Sequence, residues 1–160
     1  EVDTLISARS VTAEDRTEIY KVRTMMDKER PPASNWDVKL AQGGLIDLEF
    51  MTQWTILSGG AKAAQVTREV LEKLGAVSDV SGEELVEAHD RYTNILQISR
   101  ICLQEIYEPE NAPPGLTELL LRVLEMPDIK HAAAELSRFQ KLTRQSFEEM
   151  LGKKARQETV

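Results

Sequence analysis

Residues Lys39 to Phe50 read Lys-Leu-Ala-Gln-Gly-Gly-Leu-Ile-Asp-Leu-Glu-Phe, and most of the chain's chemical potential is concentrated there. Two carboxylates, Asp47 and Glu49, interrupt a run that is otherwise apolar. A carboxylate withdrawn from water is costly unless a cation or hydrogen-bond donor goes with it. The stretch therefore demands basic partners, and Arg23 and Lys39 are candidates. Gly43-Gly44 stands at a helix start, where backbone N–H groups and the helix dipole both favour an anion such as a phosphate. Lys39, four residues ahead of Gly43, would add positive charge.

Each feature has two readings. Asp47 and Glu49 are two apart, about 200° around a helix, so they cannot chelate one metal from one face. Either each pairs with a buried base and fixes the packing, or one of them orients a base or ligand at an interdomain cleft. Gly43-Gly44 is either a tight turn requiring positive φ or a close approach to phosphate. His89 and His131 lack ligand spacing to any other His, Cys or carboxylate pair, so no metal site is expected. Cys102 reads as a small core residue on a helix seam. Ser34, Ser58 and Ser99 carry no nucleophile motif, and there is neither a Walker loop nor a dinucleotide fingerprint. Arg100 and Lys153-Lys154 read as solvated surface.

The elements that must position these residues are helices. A short helix is expected near residues 2–9. The next begins at an N-cap, Thr12, with Asp15 completing a variant capping box; it carries Ile19, Val22 and Met26 on one face and ends before Pro31-Pro32. The loop from Pro31 to Gln42 is expected to hold a short extended piece leading into the Gly-Gly turn. A third helix, Gly44 to Ser58, is apolar almost all round and so central and buried, stopping at Gly59-Gly60. A fourth lies near 62–74. The fifth and longest, Gly82 to Tyr107, has Ser81 as N-cap and a seam of Leu85, Ala88, Tyr92, Ile95, Ser99, Cys102 and Ile106. A sixth spans 116–125. The last, Asp128 to about Leu151, has the seam Ile129, Ala132, Leu136, Phe139, Thr143, Phe147 and Met150.

The fold class expected is all-α, an antiparallel helical bundle of about six to seven helices. One bundle domain would occupy residues 1–152, and 153–160 would form a frayed charged tail.

Composition bounds the partners. The chain has 160 residues, 41% hydrophobic and only 5% aromatic, which suits one helical domain with a real core. Its net charge of −7 opposes binding to nucleic acid or an anionic membrane. No apolar run is long enough to span a bilayer, and no secretory leader is apparent. A single cysteine forbids an internal disulfide and permits a reducing compartment. The first residue is Glu1 rather than Met, as in a piece of a longer protein.

The block Lys39 to Phe50, followed by Gln53, resembles the Lys-x-x-x-Gly-Gly-[Ile/Leu]-x-Asp-[Ile/Leu]-Glu-Phe signature of glutamine synthetase adenylyltransferases. Upstream, Ile19-Tyr20-Lys21-Val22-Arg23-Thr24-Met25-Met26 is similar to that family's Val-Arg-x-Met helix, and the helical order up to Ser146–Leu151 fits. The match to the uridylyltransferases that modify the PII signal protein is poorer, because Ile46 replaces their Arg and Phe50 follows Glu49.

The resemblance implies a bacterial cytoplasmic enzyme with two halves, each a nucleotidyltransferase domain followed by a nucleotidyltransferase-associated helical domain. One half adds AMP from ATP to a tyrosine of glutamine synthetase and the other removes it. Asp47-Leu-Glu-Phe resembles the adenylylating half, and the ending soon after Leu151 suits its C-terminal helical domain. The family's metal site is Asp-x-Asp after a Gly-Ser turn, and this chain has no Asp-x-Asp. By that resemblance Mg²⁺ and ATP are held mainly by a nucleotidyltransferase domain in cis, and no catalytic residue lies here. Arg23, Lys39, Gly43 and Gly44 are then nucleotide-side or interdomain candidates, with Asp47 and Glu49 orienting them. The rival expectation is a bundle that docks glutamine synthetase or the PII protein without touching nucleotide.

Overall fold

A computed structural model of the chain describes residues 11–62, 67–74, 80–102 and 106–152. They form α1 (Ala13–Glu29), α2 (Leu45–Leu57), α3 (Thr67–Leu74), α4 (Gly82–Cys102), α5 (Pro114–Val123) and α6 (Ile129–Phe147), closed by a π-helical turn, Glu148–Gly152. No strand occurs among the described residues, and the architecture is an all-α helical bundle. The helix expected near 2–9 and the tail 153–160 lie outside the described residues.

Local chemistry accounts for most helix ends. At the start of α1 the Thr12 hydroxyl accepts from the Asp15 amide at 3.2 Å, and the Asp15 carboxylate accepts from the Thr12 amide at 2.9 Å. This reciprocal pairing satisfies two otherwise unpaired donors. Pro31 follows the last turn and cannot continue it. Helix α2 ends where Gly59 takes a φ of +79°, a conformation open to glycine. Helix α5 starts at Pro114 with a proline at the first helical positions. Asp128 caps α6 by accepting from the His131 amide at 2.9 Å.

The core runs between α4 and α6. Leu85, Ala88, Tyr92, Ile95 and Ser99 on α4 are buried, as are Ala132, Leu136, Phe139, Thr143 and Phe147 on α6. Helix α3 adds Val70, Leu71 and Leu74. Helix α2 packs against α1, α3, α4 and α6, the central position its composition implied. One edge of α2 reaches solvent at Glu49, Gln53 and Leu57.

Several expectations need correction. Val22 is 42% exposed, and the residue that α1 buries is Arg23. An electrostatic demand from α2 thus outranks the apolar periodicity of α1. The longest helix does not extend to Tyr107. Residues 106–108 are non-helical, and Tyr107 is buried with Trp36 edge-on at 5.0 Å between ring centroids. Cys102 is exposed rather than on the core seam, and Ile101 before it is 84% exposed. The loop before α2 is a series of turns, not an extended piece. The Asp37 carbonyl accepts from the Leu40 and Ala41 amides, at 3.1 and 2.8 Å, and folds the chain back on itself.

Candidate functional site

Asp47 lies in the first turn of α2 and is fully buried. Its Oδ1 accepts from Arg23 Nε on α1. Its Oδ2 accepts from the Gly43 amide at 2.6 Å and from Arg144 Nη1 on α6 at 3.3 Å. Arg23, 1% exposed, donates from Nη1 to Asp27 Oδ1 and from Nη2 to the Leu40 and Ala41 carbonyls at 3.2 and 3.3 Å. Asp27 Oδ2 accepts from Gln42 Nε2 at 3.2 Å and faces Arg144 Nη1 at 3.7 Å. Arg144 Nη2 pairs with Glu148 Oε1 at 2.7 Å, and Glu148 Oε2 accepts from the Tyr20 hydroxyl at 2.9 Å. Two guanidiniums and three carboxylates thereby tie α1, the pre-α2 loop, α2, α6 and the π-turn into one network.

The network can exist in the interior because its charges alternate and are hydrogen-bonded. Burial alone would lower the Arg144 pKa, but the carboxylates of Asp47, Glu148 and Asp27 outweigh it, and the guanidinium is held above its ordinary value. Beside it, burial drives the Tyr92 phenol well above its ordinary pKa. The nearby Thr143 hydroxyl opposes that shift and the Asp47 charge adds to it. Tyr92 Oη, Thr143 Oγ1 and Ser146 Oγ are buried with no hydrogen bond of normal geometry.

The glycines are needed for packing. Gly43 has a φ of +76°, and a Cβ there would lie 1.8 Å from the Gln140 carbonyl oxygen. A Cβ on Gly44 would lie 2.4 Å from the Val38 carbonyl oxygen. The N-terminus of α2 is also occupied by its own loop. The amides of Gly44, Leu45 and Ile46 donate to the carbonyls of Ala41, Val38 and Lys39, at 2.8, 2.8 and 3.4 Å. With the Gly43 amide on Asp47, no donor at this helix start points outward to a phosphate.

Of the six residues singled out from the sequence, the fold brings together Arg23, Gly43, Gly44 and Asp47. Lys39 and Glu49 are exposed and stand apart from that network. The roughly 200° between the two carboxylates sends one inward and the other to solvent. Sequence reasoning missed Asp27, Arg144, Glu148 and Tyr20. A signal for three of them was present: Arg23 with Asp27 and Arg144 with Glu148 are both i,i+4 pairs of opposite charge.

The chain is 38% identical over 140 residues to the bifunctional glutamine synthetase adenylyltransferase/adenylyl-removing enzyme of Brucella suis, covering 84% of this chain and 14% of that protein. Its counterparts in Agrobacterium fabrum and Mesorhizobium japonicum are 34% and 35% identical, covering 91% and 94% of this chain and 16% of each relative. The chain belongs to the glutamine synthetase adenylyltransferase family. It spans about one-seventh of the length of the relatives it matches. No family model matches the chain, and no solved structure does.

The network's charges are turned on one another. Each of its carboxylates already faces a guanidinium, and no group of three His, Cys, Asp or Glu among the described residues could hold a metal ion. An open groove of about 520 Å³ between α3 and α4 is lined by Arg68, Glu72, Glu83, Val86, Glu87 and Asp90, the wrong charge balance for a triphosphate. No helix of the described residues is long and apolar enough to cross a membrane.

Proposed function

We propose that this chain is the helical accessory domain of the adenylylating half of a bifunctional glutamine synthetase adenylyltransferase. In the whole enzyme, AMP passes from ATP to a tyrosine of glutamine synthetase, and the other half removes it, regulating nitrogen assimilation in the bacterial cytoplasm. The nucleotidyltransferase domain in cis holds ATP and Mg²⁺. The observation that carries this reading is where the family signature goes. Gly43, Gly44 and Asp47 are buried inside the bundle with Arg23, so these signature residues are spent on packing and internal hydrogen bonds rather than on an open reaction centre. Lys39 is the one basic candidate left facing outward, and it is assigned to the interdomain side.

The test has two parts. The isolated chain, given ATP, Mg²⁺ and glutamine synthetase, should incorporate no AMP; incorporation would overturn the accessory role. In the full-length enzyme, Lys39→Ala should raise the KM for ATP with no change in melting temperature. Unchanged kinetics would remove Lys39 from the interdomain contact.

A second reading has one observation in its favour. Leu119 and Val123 on α5 are each 40% exposed, an apolar pair four residues apart on an outer helix. On this reading the bundle docks glutamine synthetase or the PII protein and touches no nucleotide. Replacing both by Ser in the full enzyme would then weaken binding of one of those proteins and leave the KM for ATP unchanged.

A further inference from the structure

We propose that α1 is a releasable arm, hinged at Arg30–Ala33, which leaves the bundle as a unit while the rest of the core stays folded. Its attachment is mostly polar, with apolar packing limited to the half-buried Ile19 and Tyr20. The only residue α1 buries is a guanidinium, Arg23. Its other moorings include the Tyr20 hydroxyl on Glu148 at 2.9 Å, Arg16 Nε on the Leu151 carbonyl at 3.4 Å, Asp27 facing Gln42 and Arg144, and the Tyr20 ring stacked 6.0 Å from Phe147. Ile19 and Tyr20 are half-buried, while Val22 and Met25 face solvent. Elements that bury little apolar area and rely on bonds water can replace are the ones that open below the global unfolding free energy.

The chain on the far side of the hinge is pinned. Trp36, Asp37, Val38 and Ala41 are buried, Gln140 Nε2 donates to the Asn35 carbonyl at 2.7 Å, and Trp36 packs on Tyr107. Between this anchored loop and α1 stand Arg30, Pro31, Pro32 and Ala33, of which only Pro32 is even half-buried. Two prolines make this joint stiff within itself, so that bending is confined to its two ends.

The Asp47 site also tolerates the departure. Its Oδ1 loses Arg23, but its Oδ2 keeps the Gly43 amide and Arg144, both on the body. Arg23 and Asp27 leave together as an i,i+4 pair and reach water as they go. Neither half strands a buried charge, which is what normally forbids breaking such a pair. Release would swing α1 away from the body and uncover the Asp47–Arg144 face.

Native-state hydrogen exchange on the 160-residue chain tests this. The amides of residues 17–29 should exchange at least about tenfold faster than the slowest of α4 and α6, as one group with one denaturant dependence. Arg23→Gln should accelerate α1 further and leave α4 and α6 unchanged. Tyr20→Phe, which removes a single hydroxyl, should do the same to a smaller degree and serves if Arg23→Gln fails to fold. Exchange of α1 at the rate of α4 and α6, or Tyr20→Phe accelerating all three helices together, would overturn the proposal.

Discussion

Helices α1 and α6 are similar in length, 17 and 19 residues, and are held in opposite ways. Helix α6 buries Ala132, Leu136, Phe139, Gln140, Thr143, Ser146 and Phe147. Helix α1 buries Arg23 alone. One is secured by apolar area and close packing, which are non-directional and add up over many atoms. The other is secured by a few directional contacts, each depending on a partner in another element. The first kind of attachment degrades gradually with lost volume. The second holds until one group is missing and then gives way as a unit.

Substitutions should separate the two modes. Phe139→Ala empties a fully buried position between α4 and α6 and should cost about 3–5 kcal/mol in urea unfolding, lost from the whole molecule at once. A loss under about 1 kcal/mol would mean the α4–α6 seam is not the core. Asp47→Ala removes the carboxylate that Arg23 and Arg144 share, leaving Arg23 with Asp27 and Arg144 with Asp27 and Glu148, and should cost about 3–5 kcal/mol. Here the α1 amides should lose hydrogen-exchange protection first. A near-neutral result would show that α1 does not depend on the ion network.

Gly43→Ala should cost about 2–5 kcal/mol, since the added carbon meets the Gln140 backbone and the φ is positive. Wild-type stability in that variant would rule out the close approach of the loop to α6. Glu49→Gln, on the exposed side of α2, should change stability by less than about 0.5 kcal/mol. A transfer rate unchanged as well in the full enzyme would end any role for Glu49 in orienting bases.

The smallest effect is at the cap of α6. The His131 amide and side chain hold the Asp128 carboxyl below its ordinary 3.8. A carboxyl with a depressed folded pKa contributes stability above its ordinary pKa and loses it as pH falls through the folded value. A carbon-detected NMR titration should therefore place Asp128 below 3.8; a value at or above it would remove the cap's electrostatic part.

Much of this arrangement was legible in the residues themselves. Thr12 and Ser81 marked helix starts because their side chains can accept from amides that a helix leaves unpaired. Pro31 and Gly59-Gly60 marked ends. The composition of Leu45–Leu57 placed α2 in the middle, and two carboxylates in it required a base. The family signature was legible as a block of sequence. Its use was less so: Arg23 and Gly43 meet Asp47 across separations of 24 and 4 residues, whereas Arg144 arrives from 97 residues away.

What the sequence by itself determined was the helical class, the caps, the central helix and the need for a cation at the carboxylates of α2, met at Asp47 and not at the exposed Glu49. All of these rest on local propensity or on periodicity within one element. Tertiary structure alone decided that Asp47 is the buried carboxylate, that Arg144 shares it with Arg23, that Val22 faces solvent, and that the α2 amides are spent on their own loop. Periodicity gives the angle between two side chains on a helix but not which of them a neighbouring helix will cover. That choice depends on elements distant in sequence, and it is settled when the bundle closes.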